Sequence, residues 1–157
     1  MSNDKTVKYE DVLNRDGKLI YTNVGTSMMP LLREHRDLMI IEKKSEGRCK
    51  KYDAVLYKRK SGKYVLHRIL KVRKDDYVIC GDHCCRKEYG ITDEQILGVL
   101  TGVVRDGKTI NVTDKNYLFY VHLWCDFFYI RIFLLYTKRI AKSILKKIIK
   151  PNDKKSK

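Results

Sequence analysis

The chain has 157 residues, 43% of them hydrophobic and 34% charged, a balance that provides one domain's worth of core and excludes a disordered, low-complexity or repeat architecture. Its formal net charge is +15, yet nine Lys or Arg against one Asp fall between Thr137 and Lys157, so +8 of that charge sits in the last 21 residues. With the charge concentrated in a tail, and no aromatic-interleaved basic patch or zinc-finger spacing in the body, the composition favours an anionic lipid surface over nucleic acid as partner.

In chain order, the opening "MSNDKTVKYEDVLNRDGK" is polar and lacks the apolar run of a secretory signal, so the protein is expected not to be secreted. Residues 1–17 form an N-terminal segment with a short helix expected between Tyr9 and Asp16, packing Val12 and Leu13. Residues 18–112 consist of short apolar runs: "KLIYTNV", "DLMIIEK", "DAVLYKR", "KYVLHRILKV", "DYVICG", "ILGVLTGVV" and "KTINV". Runs of this length, rich in Val, Ile and Tyr and closed by Gly, Asp or Lys pairs, predict strands, with turns at "SG" 61–62 and "DG" 106–107. The fold class expected is mainly β with a C-terminal helical extension. The five cysteines are an odd number and suit a reducing compartment. "CGDHCC" clusters thiols and a histidine, but it is one half-site without a second spaced pair, so no metal site is assigned.

Residues 113–150 change character. "YLFYVHLWCDFFYIRIFLLY", residues 117–136, has the length of a bilayer-crossing helix. His122, Asp126 and Arg131 interrupt it, with Arg131 opposite the other two on a helical wheel, and the cost of Asp and Arg in lipid about matches the gain from the apolar side chains. A span and a surface-bound segment therefore both stay open. "KRIAKSILKKIIK", Lys138 to Lys150, gathers Ile140, Ile144, Leu145 and Ile148 on one side and Lys142, Lys146, Lys147 and Lys150 on the other, the pattern of a basic interfacial helix that Pro151 then ends. A helical region packed on the β body with solvated cations is the other reading. Residues 151–157 are a basic tail.

Chemistry-bearing residues occur in an ordered series: "VGTSMMPLL" at 24–32, "RDLMII" at 36–41, "YDAVLYKR" at 52–59, "VLHRIL" at 65–70 and "VICGDHCCRKE" at 78–88. Asp37 and Asp53 in this series read as structural turn residues. Over residues 20–112 the series resembles the signal peptidase I superfamily, which also contains the self-cleaving SOS-type repressors. The resemblance implies a signal-peptidase-like β fold, also found as the C-terminal domain of SOS-type repressors, and a serine endopeptidase that cleaves a signal or leader peptide without metal or cofactor. Ser27 matches the nucleophile, with Gly25, Thr26 and Pro30 shaping the turn and the oxyanion hole. His67 stands where most bacterial members have a lysine base and the histidine-type members a histidine. Asp82 matches the Gly-Asp box, and Glu88 stands at the offset where histidine-type enzymes place their orienting acid; either could hold the imidazole, Asp82 ahead. Met28 and Met29 are the expected substrate contacts.

The chemistry is coherent from the residues upward, because a serine hydroxyl needs a base within hydrogen-bond reach, and a histidine base needs a carboxylate to fix its tautomer. The chain also departs from the family pattern: it shows no membrane span ahead of the serine, Arg36 of "REHRD" replaces a favoured glycine, and His83 replaces the asparagine after Gly-Asp. No helix-turn-helix fits before Ser27 and no repressor-type self-cleavage bond precedes it, which argues against a repressor. The expected partners are a peptide or preprotein substrate and a membrane surface contacted through residues 117–150, from the cytoplasmic face or as a single C-terminal span. The alternative function is a non-catalytic peptide- or nucleic-acid-binding module on the same fold.

Overall fold

The computed structural model describes residues 8–149; residues 1–7 and 150–157, and with them Lys150, Pro151 and the basic tail, lie outside it. The apolar runs between Lys18 and Asn111 become strands because their β-branched and aromatic side chains pack on a pleated surface. They are β1 (Lys18–Thr22), β2 (Leu38–Lys43), β3 (Ala54–Lys58), β4 (Tyr64–Val72), β5 (Tyr77–Cys80), β6 (Glu88–Ile91), β7 (Ile96–Arg105) and β8 (Lys108–Asn111). All pair antiparallel in one open sheet ordered β1-β2-β7-β3-β4-β5-β6, with β8 on β7. Helix α1 (Tyr9–Asp16) buries Leu13 against this sheet, and α2 (Lys115–Asp126) and α3 (Phe128–Ile149) follow it. The architecture is mainly β with a helical C-terminal part.

Strand β3 is buried along nearly its whole length, and its alternation feeds two cores. Ala54 and Leu56 belong to a cluster with Leu13, Met28, Leu32 and Ile41, which α2 extends through Tyr117 and Val121. Val55 and Tyr57 belong to a second cluster with Ile69, Tyr77, Ile79 and Ile91. The β3–β4 register pairs Val55 with His67 and Ala54 with Arg68. Directly opposed residues share a face, so His67 lies on the side of the second cluster and Arg68 on the side of the first. Two neighbouring polar residues on β4 are thereby sent to different surroundings, and both are buried.

The C-terminal apolar segment is not one continuous helix over 117–136. It breaks at Phe127, and α2 and α3 are bent by 84°. No single helix among the described residues is long and apolar enough to cross a membrane; the bent pair passes by length and composition alone. The bend resets the helical phase, which is why one wheel scattered the polar residues. Asp126 accepts from Tyr52 Oη at 2.6 Å and pairs with His122 Nδ1 at 3.1 Å. Arg131 is buried, donating to the Cys84 carbonyl at 3.3 Å with its guanidinium 4.6 Å from the Phe128 ring.

Asp37 fastens the segment between β1 and β2 to the sheet. Its fully buried carboxylate accepts from the Arg33 backbone at 2.8 Å, from the Arg33 guanidinium at 2.8 and 2.9 Å, and from Arg105 on β7 at 2.6 and 3.1 Å. Burial raises its pKa, but hydrogen bonds from Arg105 and Arg33 outweigh that and hold it down at about 2. Because the folded value is depressed, the stabilisation is complete above the ordinary 3.8 and fades as pH falls towards 2. Asp37→Ala is expected to lose about 3 kcal/mol in urea unfolding at neutral pH, with the difference from wild type shrinking across that acid window.

Candidate functional site

Ser27 lies in the coil between β1 and β2, where Gly25 takes φ 108°, a conformation open to glycine and strained for other residues. The following residues close a helical turn through Met29 N–H to Thr26 O at 3.1 Å and Leu32 N–H to Met28 O at 3.0 Å. Buried Asn23 holds the entry, donating from Nδ2 to the Gly25 carbonyl at 2.9 Å, while its backbone N–H donates to Asp37 O at 3.0 Å. His83 N–H donates to the Ser27 carbonyl at 2.8 Å, tying the serine turn to the loop after β5. Ser27 is half-buried, and its own N–H has no acceptor among the described residues. The "REHRD" turn closes with His35, at φ 55°, in the left-handed conformation, while Arg36 is exposed.

His67 Nδ1 is 2.9 Å from Glu88 Oε1. The same carboxylate accepts from Tyr57 Oη at 2.9 Å and from the Arg59 guanidinium at 2.6 and 2.9 Å. Nδ1 faces this carboxylate and also lies 3.5 Å from Tyr57 Oη, so with the proton on Nδ1 it is Nε2 that is left to accept another. Burial lowers the His67 pKa below its usual 6.5; the negative charge of Glu88 opposes that shift and the Arg59 cation adds to it. Burial pulls the Glu88 pKa up, and hydrogen bonds from Arg59 and Tyr57, with the charge of His67, bring it below the ordinary value. The histidine is therefore neutral and the glutamate ionised at neutral pH, the state a general base requires.

Asp82, which the sequence placed ahead of Glu88 as the orienting acid, has other partners. Its side chain is wholly buried and bidentate to Arg68, at 2.9 and 2.7 Å, with a third bond of 2.9 Å from Tyr120 Oη. Arg68 also donates to Tyr52 O and Tyr117 Oη, and Trp124 Nε1 donates to the Asp82 carbonyl at 2.7 Å. The physical reason is the alternation on β4: Arg68 enters the face that α2 covers, and a buried guanidinium takes the nearest carboxylate. Glu88 reaches the other face because β6 returns antiparallel to β5, pairing Glu88 with Ile79.

Gly81 brings the two halves of the site together. A Cβ there would stand 2.6 Å from Ser27 O, 2.9 Å from His67 Nε2 and 2.8 Å from Cys84 Sγ. Only a residue without a side chain fits between the Ser27 carbonyl, the Cys84 thiol and the imidazole nitrogen, and no hydrogen bond joins the Ser27 hydroxyl to His67 among the described residues. A cavity of about 430 Å³ opens beside them, with Thr22 to Met28 on one wall and Lys63 to His67 on the other. Along that second wall, residues 64–67 pair with β3 on one side, while β5 begins to pair only at Arg68, so their other edge is open among the described residues.

Of the expected site residues, Ser27, Thr26 and Gly25 line this cavity with His67, and Glu88 stands behind the imidazole. Pro30 is exposed beyond the turn, its carbonyl near Arg105. Met28 is buried in the first core and presents only part of its surface to the cavity, while Met29 is half-buried and outside the lining. Burial pushes the Cys80 thiol up to about 11. Among the described residues no cluster of three His, Cys, Asp or Glu is arranged to hold a metal.

Tyr57, Arg59 and Asn23 escaped the sequence reading, as did the Arg68 partnership. Arg68 carried a signal: an arginine inside an apolar strand, beside a histidine, demands a buried acid. Tyr57 and Asn23 look like ordinary strand and turn residues. Compared with protein-family models, curated proteins and solved structures, the chain matches none.

The two acids are expected to separate on substitution. Asp82→Asn leaves Arg68 with a buried, uncompensated charge and is expected to cost about 3 to 5 kcal/mol in urea unfolding, whereas Glu88→Gln keeps hydrogen-bonding capacity at a partly exposed site and is expected to cost about 1 kcal/mol.

Proposed function

We propose that the protein is a serine endopeptidase of the signal peptidase I type, with its β fold, cleaving a signal or leader peptide through Ser27, His67 and Glu88. The observation that carries this reading is the Glu88 carboxylate at 2.9 Å from Nδ1 of a buried histidine whose Nε2 borders Gly81, as the Ser27 carbonyl does. Two further features support it. Among the described residues the Ser27 N–H has no acceptor, which leaves it free for an oxyanion, and the cavity runs along the open edge of β4, to which an extended peptide can add as another strand.

In the proposed reaction the Ser27 hydroxyl attacks the scissile carbonyl while His67 Nε2 takes its proton. Glu88 stabilises the imidazolium without becoming protonated, and Tyr57 and Arg59 keep the carboxylate aimed and ionised. The tetrahedral intermediate, held by the Ser27 N–H with the Thr26 hydroxyl as a second donor, collapses as His67 returns the proton to the departing amine. Water, deprotonated by the same imidazole, then releases the acyl group and restores Ser27.

The test is steady-state hydrolysis of an activated ester of a short peptide ending in a small residue, followed against pH. Ser27→Ala and His67→Ala are each expected to lower kcat about 1,000-fold or more, and Glu88→Gln about 100- to 10,000-fold. The acid limb of kcat/KM is expected below 6.5 in the wild type. Glu88→Gln is expected to move that limb lower still, since removing the negative charge removes what holds the His67 pKa up. Hydrolysis by Ser27→Ala at the wild-type rate would overturn the proposal and favour a binding module.

A further inference from the structure

Helix α3 presents two unlike stripes. Phe128, Arg131, Leu135, Lys138 and Lys142 recur at spacings of three and four, which places them along one side. At the start of this stripe Phe128 and Arg131 are buried against the body; further on it carries exposed cations. The adjoining face, which Lys138 and Lys142 flank, holds Ile130, Phe133, Leu134, Ile140, Ile144 and Leu145, between 44% and 65% exposed. An exposed apolar strip of this length needs a partner.

From this arrangement we infer that α3 lies flat on an anionic lipid bilayer, its apolar side among the acyl chains and the body held above it at the elbow with α2. Charge identifies the occupant. The nine Lys or Arg against one Asp between Thr137 and Lys157 would repel the same segment of a second copy, and each cation near an anionic surface strengthens binding roughly fivefold. The elbow sets the topology. Tyr117, Val121 and Cys125 of α2 are buried in the body, and Tyr120 and Trp124 hydrogen-bond to Asp82, so α2 cannot enter lipid in line with α3 without giving up those contacts. Arg131 and Lys87 join the elbow to the loop after β5, Lys87 lying 4.3 Å from the Phe128 ring. That loop forms part of the cavity wall through His83 and Cys84, so docking sets the cavity at a fixed height over the membrane. This inference stands on the helix surface and is independent of the peptidase reading.

The test is flotation of the full-length protein with phosphatidylcholine vesicles, with and without phosphatidylserine, at low and high salt. Binding is expected to the mixed vesicles, to weaken with salt, and to be stripped by an alkaline carbonate wash. Phe133→Ser combined with Ile140→Ser is expected to weaken it about tenfold or more, and Lys138→Gln with Lys142→Gln about 25-fold, with an unchanged circular dichroism spectrum. Equal binding to neutral vesicles, no binding, or indifference to both double variants would overturn the inference. So would resistance to carbonate, which indicates a span, or a dimer in light scattering that the Phe133 variant dissolves. Binding of duplex DNA that displaces the vesicles and survives the Phe133 variant would assign the surface to nucleic acid instead.

Discussion

The buried ion pair between Arg68 and Asp82 is the constraint on which the rest of the site depends. Both side chains are fully excluded from solvent, so their desolvation must be offset by near-complete hydrogen bonding. Arg68 spends its donors on Asp82, Tyr52 O and Tyr117, and Asp82 accepts in addition from Tyr120. A pair so completely satisfied admits one arrangement of the chain around it. It fixes the residue after Gly81, the glycine that both the Ser27 carbonyl and the imidazole border. It also recruits α2 as a cover, so the C-terminal helices are part of the structure that shapes the site.

On the opposite face of β4 the electrostatics run the other way. His67 is buried among apolar groups that disfavour its charged form, and Glu88 restores part of what burial removes. Arg59 acts in both directions, holding Glu88 ionised and aimed through two hydrogen bonds while its own charge further disfavours an imidazolium. The outcome is a neutral histidine with a fixed tautomer. One step of alternation along a strand thus separates a fully buried ion pair from the histidine–carboxylate pair beside the cavity, and exchanging their acids would require a shift of register.

Most of the strands could be read from the sequence because β-branched and aromatic runs end at strong turn residues: "KLIYTNV", "DAVLYKR" and "ILGVLTGVV" each contain one. Strand β6, "EYGI", escaped because it is short, polar at one end and interrupted by Gly90. The break at Phe127 was equally hidden, since no proline or glycine marks it; on its two sides Asp126 bonds to Tyr52, and Arg131 to the Cys84 carbonyl through Nη2 alone, its Nε and Nη1 being buried without a partner among the described residues. Ser27 and His67 could be singled out only as members of an ordered series, each being ordinary alone. The identity of the acid was beyond sequence spacing. Asp82 is nearer along the chain, and only the pairing of Arg68 with Cys80 and of Ile79 with Glu88 decides which face each carboxylate reaches.

In the proposed reaction Ser27 is a nucleophile activated by His67, and such a serine can be trapped covalently. Intact protein treated with a fluorophosphonate and analysed by peptide mass spectrometry should carry one adduct, on Ser27, with the rate of modification falling at least about 100-fold in His67→Ala. No adduct, an adduct on another residue, or modification of Ser27 at the same rate without His67 would contradict the account.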